Sequence, residues 1–176
     1  MFPPFLGHSA LLKPSEEFCA MPSTDIDAKM TNPSSASVPF IDITLPSDTT
    51  EARRFQDHIE EQLVSRQVTE KEIFSVRLAL EEALVNAIKH GNQYDRAKQV
   101  HVRYRFIDEQ PLRFEITITD EGAGFDPEDV PDPTVEENLE RTCGRGLMFM
   151  RHYMSIVEYN SIGNSVVMTK VFQGKK

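Results

Sequence analysis

One segment constrains the fold more than any other: the run from Thr69 to Gly91. Thr69-Glu-Lys-Glu72 has the form of a capping box, a hydroxyl residue followed three positions later by glutamate. From there Ile73, Val76, Leu80, Ala83, Leu84, Ala87 and Ile88 recur at helical spacing. The pattern predicts a helix reaching His90 with one broad apolar face, stopped by Gly91 at a C′ position. Such a face must be covered, and the flanking sequence offers the cover. Upstream, Ile41, Ile43 and Leu45 alternate as a strand ending at Pro46. Ser47 or Asp48 can then cap a helix running to about Arg66, with Ala52, Phe55, Ile59 and Leu63 on one face. Downstream, Val100, Val102, Tyr104 and Phe106 alternate, as do Phe114, Ile116 and Ile118. The short polar link Asp108-Glu-Gln-Pro111 makes these two an antiparallel hairpin. A short helix over Gly144–Tyr153 and a last hairpin, Ser155–Asn160 with Ser165–Phe172, complete the set. The expected class is α+β: a two-layer α/β sandwich with one mixed, mostly antiparallel sheet and helices on one face.

The remaining sequence reads differently. Residues 1–37 hold five of the 11 prolines and six serines, with few large apolar residues after Leu12. Such a segment buries too little surface to offset its ordering entropy, so 1–37 is expected to be a disordered tail and 38–176 the folded domain. The start, MFPPFLGHSALLKPSEE, lacks the basic n-region of a secretory leader and breaks its apolar stretch with prolines. No apolar run approaches the roughly 18 residues of a membrane span. A net charge of −9 argues against general nucleic-acid binding, which draws most of its affinity from basic patches. Cys19 and Cys143 stand far apart in no metal-like or redox spacing, as free thiols of a reducing cytosol do.

Three motifs are candidates for chemistry. A second face of the long helix holds Glu82, Asn86 and His90 at i, i+4 and i+8, stacked in one line. Solvated helix faces often carry such residues. However, Ala83 and Ala87 beside them leave room for a ligand, and asparagine inside a helix needs compensation. Asp120-Glu-Gly-Ala-Gly124 breaks a strand end. An aspartate there can accept from an exocyclic amine, and glycines let backbone approach a flat ring or a phosphate; a plain turn would look the same. Gly144-Arg-Gly146 opens the last helix, where exposed backbone N–H groups can hold an anion and Arg145 would add charge; a helix entry turn explains it equally well.

Together, in this order and on these elements, the three motifs resemble the N, G1 and G2 boxes of the histidine kinase/gyrase/chaperone (GHKL) ATPase superfamily. The carriers are Glu82-Ala-Leu-Val-Asn86-Ala-Ile-Lys-His90, Asp120-x-Gly-x-Gly124 and Gly144-x-Gly146, with a lid-length gap at 126–143. Within the superfamily the chain is similar to the small bacterial anti-sigma-factor serine kinases of the RsbW type, over roughly Ile41 to Val171. The resemblance implies a Bergerat-type ATP-binding fold and a residue-by-residue site. Asn86 would ligate the Mg²⁺ that bridges the ATP phosphates, and Glu82 would be the general base. Asp120 would recognise the adenine amine, with Gly122 and Gly124 shaping the pocket. Gly144 and Gly146 would hold phosphate oxygens, while Lys89, His90 and Arg145 would lie on the phosphate side. Many members have Gly-Thr on the last hairpin; here the run is Gly163-Asn164-Ser165, and Ser165 would substitute through its hydroxyl.

The resemblance further implies an ATP-dependent serine/threonine kinase acting as an anti-sigma factor. It would phosphorylate an anti-anti-sigma (STAS-type) partner and sequester a sigma factor, as a cytoplasmic homodimer. The alternative is a nucleotide-gated binding module with little or no phosphotransfer. A histidine kinase fits less well, because only one helix fits between Leu45 and Thr69 and His58, in Asp-His-Ile-Glu-Glu, reads as a surface residue.

Overall fold

The computed structural model describes residues 38–126 and 145–173. The 1–37 tail with Cys19, the lid apart from Asp126, Cys143 and Gly144 therefore lie outside the described residues. Five strands form one sheet: β1 (Ile41–Pro46), β2 (Gln99–Ile107), β3 (Arg113–Asp120), β4 (Ile156–Tyr159) and β5 (Ser165–Val171), in the order β1-β2-β3-β5-β4. Every strand pair among the described residues is antiparallel, so the sheet is purely antiparallel there rather than mixed. Three helices complete the layer: α1 (Thr49–Ser65), α2 (Glu70–Val85) and α3 (Arg145–Tyr153). Among the described residues no helix is long and apolar enough to cross a membrane.

The pleat sorts the sheet into two faces. Val100, Val102, Tyr104, Phe114, Ile116, Ile118, Val166 and Met168 are buried and join one cluster with Phe55, Ile59 and Leu63 of α1, Val76, Leu80 and Leu84 of α2, and Leu147 and Met150 of α3. The predicted apolar stripes are thus the faces that meet. Directly paired Phe106 and Phe114 stack with ring centroids 4.7 Å apart. The opposite face is polar: Arg105 donates to Glu115 at 2.7 Å and lies over the Phe40 ring at 4.1 Å.

Helix ends follow local chemistry. Asp48, rather than Ser47, caps α1, its Oδ1 accepting from the Thr50 N–H at 2.7 Å. The capping box of α2 forms with a difference. Thr69 Oγ1 accepts from the Glu72 N–H at 3.4 Å and donates to Glu72 Oε2 at 2.7 Å. Glu72 Oε1 accepts from the Gln173 N–H at 2.9 Å, tying the chain's far end to the start of α2.

The end of α1 is a Schellman turn. Val68 N–H donates to Leu63 O at 3.1 Å and Gln67 N–H to Val64 O at 2.9 Å, while Val68 packs on the core. The C′ residue is Gln67 at φ 58°, a left-handed conformation that a β-carbon disfavours. Gln67→Gly is expected to raise stability by about 0.5–1 kcal/mol. The check is a higher urea midpoint with an unchanged slope.

Candidate functional site

The long helix is where structure and sequence pattern part. Its α-helical hydrogen bonding ends at Val85, and Asn86–Gly91 form a π-helical turn in which the Asn92 N–H donates to Ala87 O at 2.8 Å. The apolar stripe survives the change, since Ala87 and Ile88 remain buried. The straight line Glu82–Asn86–His90 does not survive. Glu82 and Asn86 are half-buried, but the wider turn leaves Lys89 and His90 exposed. π-turns inside helices concentrate at functional sites, and this one begins at the asparagine of the motif.

Gly91 is the last residue of that turn, not a C′ cap, and its φ is not positive. Its role is to make room. A β-carbon there would fall against the Asp120 carboxylate, 2.6 Å from Oδ2, and one at Gly122 would fall 2.7 Å from Asp120 Oδ1. Asp120 Oδ1 also accepts from the Gly122 N–H at 2.8 Å. The carboxylate at the end of β3 therefore sits in a seat formed by two glycines from different elements.

Asn92, fully buried, fixes this seat. Its Nδ2 donates to Ser47 Oγ at 2.7 Å and to Gln99 O at 2.9 Å, and its Oδ1 accepts from the Glu121 N–H at 2.8 Å. Ser47 in turn donates to Lys98 O at 2.9 Å. One side chain thus joins the β1–α1 junction, the start of β2 and the residue after Asp120. On the other side, Asp120 N–H donates to Asn164 O at 2.9 Å, and Asn164 Nδ2 donates to Asp120 O at 3.1 Å. Asn160 Oδ1 gathers the N–H groups of Gly163, Asn164 and Ser165 at 2.8, 3.1 and 3.2 Å, shaping the β4–β5 turn. Gly124 and Gly163, at φ 80° and 81°, bring the Asp120–Gly124 loop and this turn into backbone contact. A β-carbon on Gly124 would strike Ile162 O, and one on Gly163 would strike Phe125 O.

At the other end of the site, α3 begins over Glu82. A β-carbon at Gly146 would lie within 3.3 Å of Glu82 Cδ and closer still to Oε2. Burial pushes the Glu82 carboxyl above its usual range, with the Glu81 charge adding to the effect. Burial also raises Asp120, against the lowering influence of the Gly122 N–H and Lys98. Tyr159 of β4 closes the gap between the motifs. Its ring meets Phe125 edge-on at 5.1 Å, and Asn86, Arg151 and Asp120 lie close enough to influence its hydroxyl. Burial drives this phenol up to about 12.

The structure thus brings Glu82, Asn86, Asp120, Gly122, Gly124 and Gly146 around one region, with exposed Arg145 at the start of α3. Ser165 requires a correction. It pairs with Thr119, its Oγ 2.7 Å from Thr119 Oγ1, on the face opposite Ile118 and Asp120. Alternation puts Asn164, one residue earlier, on the Asp120 side. Gly91, Asn92, Asn160 and Tyr159 escaped the sequence reading. Asn92 and Asn160 stand in polar turns where asparagine is ordinary, and Tyr159 looked like one more strand aromatic.

Two predictions follow from this geometry. Asn92→Ala leaves the Glu121 N–H, Gln99 O and Ser47 Oγ without their partner. The expected loss is about 2–4 kcal/mol in chemical denaturation. The raised Glu82 means that the folded state binds its proton more tightly than the unfolded chain does. Its contribution therefore lowers stability as pH rises from the ordinary glutamate value through the raised one. Glu82→Gln is expected to melt higher than the parent near pH 7. The advantage should shrink as pH falls through that window, as melting curves across pH would show.

Comparison with known proteins gives the same picture. The family model described as the histidine kinase-like ATPase domain matches residues 45–170. The serine-protein kinase RsbW of Bacillus subtilis is 31% identical over 117 residues, 61% of this chain and 70% of that protein. The anti-sigma F factor of Oceanobacillus iheyensis is 32% identical over 114 residues, 61% of this chain and 75% of that protein. A solved structure of the RsbU and RsbW domains of Rv1364c from Mycobacterium tuberculosis superposes with a TM-score of 0.52 at 17% identity. It covers 77% of this chain, which spans 32% of that longer one, and at this identity the likeness speaks for the fold. With a family match over most of its length, and relatives above 30% identity covered over two thirds of theirs, the chain belongs to the histidine kinase-like ATPase domain family.

Proposed function

We propose that the chain is an ATP-dependent protein serine/threonine kinase that acts as an anti-sigma factor. It would phosphorylate a serine of a STAS-type anti-anti-sigma partner and hold a sigma factor, as a cytoplasmic homodimer. The observation that carries this reading is the close approach of Gly146 to the Glu82 carboxylate, on the helix that also presents Asn86. A β-carbon at Gly146 would displace the Glu82 carboxylate, so the start of α3 lies directly against that carboxylate. The names of the relatives, serine-protein kinase and anti-sigma F factor, support the same reading.

The roles follow from the chemistry of each group. Asp120 offers a carboxylate oxygen to the adenine amine, while Gly122 and Gly124 leave space for the ring. The Gly146 N–H would face the phosphates, with Lys89, His90 and Arg145 adding positive charge at the exposed rim; Gly144, expected to act beside it, lies outside the described residues. Among the described residues no three or more His, Cys, Asp or Glu side chains cluster as a self-sufficient metal site. That donor set fits Mg²⁺, which takes few protein oxygens and would be held by Asn86 together with phosphate oxygens and water. When bound, the metal neutralises phosphate charge. Glu82 accepts the proton of the partner's serine hydroxyl as its oxygen attacks the γ-phosphorus and the bond to the β-phosphate oxygen breaks, releasing ADP. Burial tunes the carboxyl upward, in the direction a general base working near neutral pH requires.

The test is incubation with Mg²⁺, γ-labelled ATP and a purified STAS-type partner. Phosphoserine is expected on the partner. Glu82→Ala should lower transfer by about 10²–10⁴-fold while nucleotide affinity holds. Asp120→Asn should instead weaken nucleotide binding, by about 1.5–3 kcal/mol in calorimetry. Nucleotide binding without any phosphoserine would leave the nucleotide-gated binding module as the reading.

A further inference from the structure

The outer side of the α1–α2 pair carries two stripes that the core does not use. On α1, Asp57, Glu60, Glu61 and Val64 recur at i, i+3, i+4 and i+7. On α2, Glu70, Phe74, Leu78 and Glu81 follow the same helical spacing. The two stripes line a groove with adjoining cavities of about 500 and 600 Å³. Glu70 to Glu81 spans about 16 Å at 1.5 Å per residue, or three helical turns. Neither Glu82 nor Asn86 lines it.

The middle of the groove is apolar. Phe74 is 60% exposed and Val64 58%, beside half-buried Leu78 and buried Ile73. The Phe74 ring is already held edge-on by Tyr153 of α3 at 6.5 Å, so covering it would cost little further ordering. The rim is acidic. Arg77 reaches across from α2 to pair with Glu60 and lies 3.8 Å from Asp57, so its charge is matched. Exposed Glu61, Glu70 and Glu81 make no ion pair among the described residues.

These features select the occupant. Both walls are helices whose backbone N–H and C=O groups are already paired, so the groove offers no strand edge to extend. A peptide lying there must satisfy its own backbone, which a helix does. Three unmatched carboxylates favour lysine and arginine on its flanks and repel phosphate groups. This chain supplies a poor match: residues 1–37 hold two lysines against four acidic residues, and a second copy brings the same net charge of −9. We propose that the α1–α2 groove is a docking site for a basic amphipathic helix of a partner protein. Its apolar face covers Phe74 and Val64, and its basic flanks meet Glu61, Glu70 and Glu81. The docking needs no nucleotide and stands apart from the ATP reading.

The test is fluorescence anisotropy of a labelled peptide of about 16 residues, with leucine and lysine at helical spacing, titrated with the full chain without nucleotide. Binding is expected, and it should weaken as salt is raised. Phe74→Ser should weaken it about 10–30-fold, as loss of a central aromatic anchor does. Glu61→Lys combined with Glu70→Lys should weaken it by about 10-fold. Val167→Ser and Glu158→Lys, exposed on other elements, should bind as the parent does. All of these positions are at the surface, and unchanged urea midpoints would show that the variants fold. No binding by the parent, equal binding of a peptide with glutamate in place of lysine, or groove variants that bind as well as the controls would each overturn the proposal. A parent dimer that Phe74→Ser splits in sedimentation would seat a second copy in the groove and overturn the partner assignment.

Discussion

The seat of the Asp120 carboxylate is the constraint on which the site depends. A charged group at the end of a central strand must lie close to the helix layer, and there is room for it only because Gly91 and Gly122 lack side chains. Gly91 reaches that position through the π-turn, and Gly122 through the turn that Asp120 itself caps by accepting from its N–H. The backbone of Asp120 is fixed on one side by Asn164, and that of Glu121 by buried Asn92. The carboxylate is therefore placed by three elements at once, none of which could shift alone without leaving a buried polar group unpaired.

The same arrangement costs the fold stability. Burial raises both Glu82 and Asp120, so each ionised carboxylate opposes folding near neutral pH. A sequence optimised for stability alone would hold Gln and Asn there. Compensation comes from the core beneath: Val76, Leu80, Leu84 and Ile88 on the helix, and Ile116 and Ile118 on β3, are essentially inaccessible. Each such side chain contributes about 1.5–3 kcal/mol when fully buried. The apolar stripe and the polar face of one helix thus work against each other, and the stripe is broad enough to prevail.

Much of this was legible before any coordinates. The elements follow from periodicity, because apolar residues at spacing two or 3.6 have only one way to share a core. Motif order singles out Asp120, Gly122, Gly124, Glu82, Asn86 and Gly146, and among these the fold brings Gly122 against Asp120 and Gly146 against Glu82. The π-turn was not legible, since Ala87-Ile-Lys-His90 is compatible with either kind of turn and the difference lies in one extra residue per hydrogen-bonded ring. For the same reason Gly91 looked like a helix stop, when what selects glycine there is a carboxylate 29 positions later. Ser165 was misplaced by a single residue of strand register, which is enough to reverse the face it occupies. Asn92 was invisible because its role is a set of long-range hydrogen bonds, which leave no local pattern.

The α-to-π change also explains how one helix meets two separate elements of the site. Glu82, on the regular α-helix, faces Gly146 at the entry of α3; Gly91, at the last π residue, faces Asp120 at the end of β3. Those two contacts lie nine residues apart on the same segment, and they point at different elements on different sides of the site. A uniform α-helix continued past Val85 would carry Gly91 round to another angle and set a side chain against the carboxylate in its place. The wider turn corrects the angle while keeping Ala87 and Ile88 in the core. Asn86 stands at the junction, where α geometry holds it in line with Glu82 and the π-turn begins to swing the chain toward Asp120. Glu82 and Asn86 are therefore set by one regular helix and the seat of Asp120 by its distortion, so the spacing between them is built into a single continuous backbone.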